Sequence, residues 1–330
     1  MRNEEGNAVR RLCAALIALA TVHLVAPASA QDWPSRPVRI ISTFAAGGTA
    51  DVLARIVAEH MSTAFGQQFF VEVRAGAAGA IGVQAVVNSP PDGYNFVITN
   101  VSLLALHPVL NPKLGYDPLR DLTNVGYIAG SPIVLSVSTA SGIKTLQDFI
   151  ARAKQSQKPL TYSSSGLGSS GQLVVELFGK VANLKFEHVP YRGASQGLTD
   201  LVGGHIVFSS QTLSSTAALL RGGALQGIGI TATERIADFP DIPTFKESGY
   251  PEVIANIWFA LSGPAGLPAD IVQKVNTEII KAVSKPQIQE KLRQDGMVTE
   301  ALSPEGLRKL VETETVRWKP IIEGSGLLAK

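Results

Sequence analysis

Short apolar runs with strand-like alternation are followed, repeatedly along this chain, by stretches in which apolar residues recur every three or four positions. The first pattern marks half-buried strands and the second marks amphipathic helices. Residues 38–44 predict a strand, and the helix beyond it carries Val52, Leu53, Ile56 and Val57 on one face. Phe69-Phe-Val-Glu-Val73 predicts the next strand, a glycine-rich opening at 74–82 leads to a helix over 83–88, and Pro90-Pro-Asp-Gly93 is a turn signature before a strand at 94–99. Asn100-Val-Ser-Leu103 reads as a loop at that strand's end, and 108–121 as a surface loop. The segment 127–138, broken by Gly130-Ser-Pro132, carries the chain into a second lobe. There helices at 145–154, 169–181, 194–202 and 212–221 alternate with strands at 160–164, 185–189, 206–210 and 225–231. A strand-like 254–262, an amphipathic helix over 268–284, a short helix over 287–295 and a last helix from 303 to about 322 complete the chain. This alternation predicts an α/β fold of two lobes, each a mainly parallel sheet flanked by helices. Crossings near 130–140 and 230–235 make a two-stranded hinge, so lobe 1 takes 31–135 plus 235–330 and lobe 2 takes 136–234.

The first thirty residues stand apart. Arg2, Arg10 and Arg11 form a basic start, 12–25 is apolar, and Ala28-Ser29-Ala30 fits a small-residue cleavage site. That apolar run is short for a membrane span of about 20 residues, so 1–30 predicts a cleaved export signal. Its removal takes Cys13, three of the 29 basic and two of the 27 acidic groups, leaving 26 against 25. A mature chain so balanced has no surface for nucleic acid or an anionic membrane, and no disulfide. Any attraction for an anion must be local.

Two strand–turn–helix corners supply it. One is Ala45-Ala-Gly47-Gly48-Thr49-Ala50-Asp51, the other Ser163-Ser-Ser165-Gly166-Leu-Gly168-Ser169-Ser170-Gly171. Glycines let the backbone approach a ligand, and the first N–H groups of a helix lack intrahelical partners, so such corners attract anions. We expect the two to face each other across a cleft and grip one carboxylate. Asp51 reads first as a helix cap, with the backbone around it open to the ligand. Gly166-x-Gly-x-x-Gly171 with Glu187 also fits a dinucleotide fingerprint, which an exported protein has little use for. The serine cluster suggests a hydrolase, but no G-x-S-x-G window exists. His60, His107, His188 and His205 form no metal pattern. Neither cofactor, metal nor catalytic residue is expected.

Taken in order, Trp33-Pro-x-Arg-Pro-Val-Arg-Ile40, Gly47-Gly-x-x-Asp51, Pro91-Asp-Gly-Tyr94, Tyr162-Ser-Ser-Ser-Gly-x-Gly-Ser169, His188-Val-Pro-Tyr-Arg-Gly193 and Gly263-Pro-Ala-Gly-Leu-Pro268 resemble the Bug or TctC-like family, the solute receptors of tripartite tricarboxylate transporters. The resemblance implies a periplasmic-binding-protein-like fold, a periplasmic location, a small carboxylate as ligand, and the small and large membrane permease subunits as partners of a monomer. It implies that Gly47–Asp51 and Ser165–Ser170 hold one carboxylate, largely through backbone groups, small hydroxyls and bound waters; we expect the hydroxyls of Thr49, Ser165 and Ser169 to join the helix N–H groups in that grip. The far end of the solute then meets Phe44, Asn100, Ser102, Tyr191, Arg192 and Gln211. Where the family often has Asn-Arg-Pro-Gly this chain has Val73-Arg-Ala-Gly76, where it often has Pro before the glycine pair this chain has Ala45-Ala46, and where it often has His this chain has Gln172, which never carries a proton charge. Presentation of the solute to a two-component sensor kinase is the alternative outlet.

Overall fold

The computed structural model describes residues 33–111, 113–324 and 326–328, so the expected export signal at 1–30 lies outside the described residues. The fold is that of Arg36–Lys330, one of the two units into which the chain divides. It begins with β1 (Val38–Ser42), α1 (Thr49–Phe65), β2 (Phe69–Val73), α2 (Ala80–Val87) and β3 (Asn95–Asn100). Leu53, Val57 and Met61 form the buried face of α1, the 3.6-residue spacing anticipated from sequence.

The expected loop at 100–103 is helical instead. The Asn100 carboxamide caps the Leu103 N–H at 3.1 Å, and a wide turn over Ser102–Leu106 runs into α3 (His107–Leu110). Leu103 to Leu106 are buried, and burying a side chain of this kind stabilises by roughly 1.5–3 kcal/mol. That gain outweighs the loop signals, so the irregular segment expected at 108–121 begins only after Leu110.

Next comes β4 (Leu122–Ser138), one 17-residue strand where a break at Gly130-Ser-Pro132 was expected. Up to Pro132 it pairs with β9 (Asn256–Pro264), and from Ile133 it pairs with β7 (Phe208–Thr212) and β8 (Leu225–Ile230). Pro132 therefore stands at the change of partners, where its missing N–H interrupts little. Between these strands lie α4 (Leu146–Gln155), β5 (Leu160–Ser164), α5 (Ser170–Ala182), β6 (Phe186–Pro190), α6 (Ala194–Val202) and α7 (Leu213–Arg221). The chain ends with α8 (Ala269–Ser284), α9 (Pro286–Gln294) and α10 (Pro304–Glu323).

The strand order is β2-β1-β3-β9-β4-β7-β5-β6, with β8 also on β4. The arrangement is the two-lobed α/β fold expected, parallel at its flanks (β1 with β2 and β3, β5 with β6 and β7) and antiparallel at its centre around β4 and β9. The centre differs because β4 runs through both lobes, and β7, β8 and β9 return alongside it. Thr231 fastens the return: its N–H donates to the Ile133 carbonyl, and its hydroxyl accepts from the Ile133 N–H and donates to the Ala255 carbonyl. Residues after it still pack on the second lobe, Phe239 and Ile242 against Val134, Leu213 and Ile230, and Phe245 edge-on to Phe178.

Candidate functional site

Both corners take the form read from sequence, and each is tied down differently. After β1, Gly48 caps α1 with extended backbone and no side-chain cap, and its carbonyl accepts from Asp51 and Val52 at 3.1 Å. Asp51 is buried, accepts the Gly47 N–H at 3.1 Å and is held by Arg55 at 3.0 and 3.1 Å. It caps rather than faces a ligand. The N–H groups of Thr49 and Ala50, in the first turn, have no partner among the described residues.

After β5, the hydroxyl of Ser164 is a hub. It accepts a hydrogen bond from the Ser169 hydroxyl at 2.9 Å and from the Gly166 N–H at 3.2 Å, and lies 2.7 Å from His188 Nε2. Ser169 caps α5 through the Gln172 N–H, Gln172 Oε1 accepts the Gly168 N–H at 2.7 Å, and Ser170 N–H donates to Ser102 Oγ at 3.0 Å. The Gly171 N–H has no partner among the described residues. A Cβ on Gly171 would sit 2.3 Å from the Ser210 carbonyl oxygen, so no other residue fits there.

The two corners open into one cleft of about 470 Å³ counting its mouth and the open solvent there. From the first lobe, Phe44, Gly48, Thr49, Ala50, Asn100 and Ser102 line it; from the second, Ser165, Ser169, Ser170 and Gln211 do. Helix starts from both lobes converge here, those of α1, α5, α6 and α7 and of the turn capped by Asn100. Sequence reasoning missed Ile133, Gly171, Ala194, Ser210, Thr212, Ile257 and Phe259. Ser210 and Thr212 flank Gln211 at the end of β7, a position the strand-end rule could have found. Ile257 and Phe259 come from the returning β9 and carry no local signal.

Other expected residues stand back from this lining. Gly47 is the donor to Asp51, Gly166 donates to Ser164 and lies against Ala78, and Gly168 and Gln172 line a neighbouring cavity. Tyr191 donates its hydroxyl to Asp200 at 2.5 Å, and burial and that carboxylate push its pKa up to about 12. The Arg192 side chain is exposed, and its backbone carbonyl accepts from Ala45 N–H at 3.1 Å.

The lobes are in contact around the cleft. Thr49 Oγ1 lies 2.8 Å from Thr212 Oγ1 and 2.7 Å from Ser214 Oγ, Ser102 and Ser170 hydroxyls are 2.6 Å apart, and Ser195 Oγ donates to the Ala46 carbonyl at 2.8 Å. A Cβ on Gly193 would fall 2.9 Å from that of Ala45. This is a closed form.

No charged side chain lines the cleft among the described residues. What it offers is dipoles: backbone N–H groups, hydroxyls and the Gln211 amide. Ser165 Oγ donates to Gln211 Oε1 at 2.8 Å, leaving Gln211 Nε2 buried without a partner among the described residues. Ser164 and His188 resemble a nucleophile and its base, but His188 Nδ1 has no partner among the described residues, so no carboxylate orients the ring, and burial lowers its pKa to about 4. Among the described residues no cluster of three His, Cys, Asp or Glu could hold a metal, and no helix is long and apolar enough to cross a membrane.

The family model described as "Tripartite tricarboxylate transporter family receptor", TctC, matches residues 53–327. The chain is 31% identical to Protein BugT of Bordetella pertussis over 325 residues, covering 98% of this chain and 100% of that one. Among solved structures, R. palustris Rpa4515 with adipate superposes at a TM-score of 0.86 with 33% identity, over 89% of this chain and 99% of that one. MatC (Rpa3494) from Rhodopseudomonas palustris with bound malate gives 0.84 and 28% identity, over 88% and 100%. A cation-free cleft walled by helix starts and a match across most of the chain agree, and the chain belongs to the TctC family of tripartite tricarboxylate transporter receptors.

Proposed function

We propose that this chain is a periplasmic solute receptor, exported by its first thirty residues, that closes on a small carboxylate and delivers it, as a monomer, to the small and large permease subunits of a tripartite tricarboxylate-type transporter. The observation that carries the reading is the set of donors left over around a closed, cation-free cleft: the N–H groups of Thr49, Ala50 and Gly171 and the Gln211 Nε2. Each hydrogen bond to a charged acceptor contributes about 1.5–3 kcal/mol, and each helix dipole about 0.3–1 kcal/mol. Donors come from both lobes, so only the closed form supplies them all, and the ligand favours closure by that difference.

The division of labour differs from the expected one. The Ser165 and Ser169 hydroxyl protons go to Gln211 and Ser164, and the Thr49 hydroxyl spans the lobes to Thr212 and Ser214. These hydroxyls shape and latch the cleft, while amide N–H groups meet the carboxylate. Phe44, Ile133, Ile257 and Phe259 face the carbon body of the solute. We set the lobe boundaries at Pro132/Ile133 and Ala255/Asn256, on strand partners and on the packing of Phe239, Ile242 and Phe245. A receptor needs no chemistry at the Ser164–His188 pair, in keeping with its lack of an orienting acid.

The relatives crystallised with adipate and malate make those the first probes. Calorimetry against mono-, di- and tricarboxylates and aromatic acids should find at least one that binds, and Gln211→Glu, which sets a like charge at the donor, should weaken it by about 100-fold, roughly 2.8 kcal/mol. If no carboxylate binds, or if the variant binds it as tightly as the parent chain, the reading fails.

A further inference from the structure

The cleft is lined unevenly. Its helix starts lie to one side, tied to one another through the end of β7. Thr49 at the start of α1 meets Thr212 at 2.8 Å, Ser165 before the start of α5 donates to Gln211 at 2.8 Å, and Ser210 Oγ donates to the Gly171 carbonyl at 2.8 Å. The α6 start joins them at the first corner, where Ser195 Oγ donates to the Ala46 carbonyl at 2.8 Å. One carboxylate set among these starts is favoured by all of their dipoles.

The other side is the sheet itself. Ile133 on β4 stands in register beside Thr212, and Ile257 and Phe259 follow on β9, opposite Ser131 and Ala129. These three apolar residues line the cleft and are 1%, 3% and 4% exposed, so they form a dry floor. Their polar neighbour is Asn100, paired with Phe259 between β3 and β9. Its carboxamide oxygen accepts the Leu103 N–H, which leaves it a neutral NH2 group and no charge to offer. No Lys, Arg, His, Asp or Glu lines the cleft among the described residues.

Resting on the receptor reading above, we propose that the cleft takes a monocarboxylate with an uncharged hydrocarbon body, and that Ile133, Ile257 and Phe259 are the residues that turn away a second charge. A hydrocarbon chain leading away from the helix starts runs onto this floor and buries apolar surface there. A second carboxylate on that chain gives up its water and finds no cation, and a terminal ammonium finds no anion. An unpaired buried charge is unfavourable in either sign. The preference differs from the ligands of the two relatives, adipate and malate, which carry two carboxylates each.

Three solutes with four carbons each separate the cases: butyrate, succinate and 4-aminobutyrate. Titrated calorimetrically into the parent chain, butyrate should bind at least tenfold more tightly than either of the others. Ile257→Lys, which sets a cation on the floor, should move the butyrate-to-succinate ratio at least tenfold toward succinate, with a thermal scan to verify that the variant is folded. Should the lysine unfold the chain, the ranking in the parent chain still decides. Failure of butyrate to bind, or binding of succinate or 4-aminobutyrate within tenfold of it, overturns the proposal. A folded Ile257→Lys with an unchanged ratio overturns it as well, because the floor then has no part in selection. In each of these cases the receptor reading survives if any other carboxylate binds, and it falls only if none does.

Discussion

The two corners of the cleft have the same geometry and opposite chemistry. At the first, a buried carboxylate paired with a guanidinium ties down the turn: Asp51 with Arg55, reaching back to the Gly47 N–H. At the second, the ties are neutral, a hydroxyl hub at Ser164, a capping hydroxyl at Ser169 and the Gln172 carboxamide. The first corner keeps its charges balanced and turned away from the ligand; the second has none. A turn can thus be fixed by an ion pair or by dipoles alone, provided the leftover N–H groups point the same way and no fixed charge enters the cleft.

The comparison breaks first at the glycines. Gly171→Ala forces a Cβ to 2.3 Å from a backbone oxygen, whereas Gly48→Ala meets its nearest atom at an ordinary 3.5 Å. We expect Gly171→Ala to cost about 3 kcal/mol in urea unfolding and Gly48→Ala under about 0.5 kcal/mol. Acid comes next. His188 behind the second corner and His107 beside it have folded-state pKa values lowered by burial to about 4, from 6.5. A lowered pKa means the folded state favours the neutral ring, so this stability is fully present above 6.5 and lost as pH falls toward 4, on the order of 3 kcal/mol for the more deeply buried His107. Urea midpoints measured across that window should fall in the parent chain and fall less steeply in His107→Gln, where His188 still titrates. Ser164→Ala removes the hub and should cost about 2 kcal/mol, with weaker carboxylate binding. Asp51→Asn costs less than Ser164→Ala: Arg55 is 61% exposed, which screens the pair, so the expected loss is about 1 kcal/mol or less. A larger effect for Asp51→Asn than for Ser164→Ala would reverse the ranking of the two corners.

Both corners were legible because their signals are local: an apolar strand, glycines, then helical spacing, all within a dozen residues or so. What sequence obscured depends on distant partners. Pro132 reads as a break, yet the strand continues because its neighbours change at that residue. The run from Val101 to Leu110 is apolar but for Ser102 and His107, too few polar residues to mark a period, and its Pro108 sits in the first turn of α3, where a missing N–H costs little. The hydroxyls of Thr49, Ser165 and Ser169 were found at the cleft, but residue type alone gives no account of which neighbour takes each proton.

The single strand threading both lobes has a consequence for modularity. Neither half owns a finished sheet: residues 122–132 complete the first by pairing with β9, and 133–138 supply the strand on which β7 and β8 are laid. A gene fragment encoding either half would leave a raw edge where its neighbour strand belongs, so the halves cannot be swapped between relatives as cassettes without carrying that strand along.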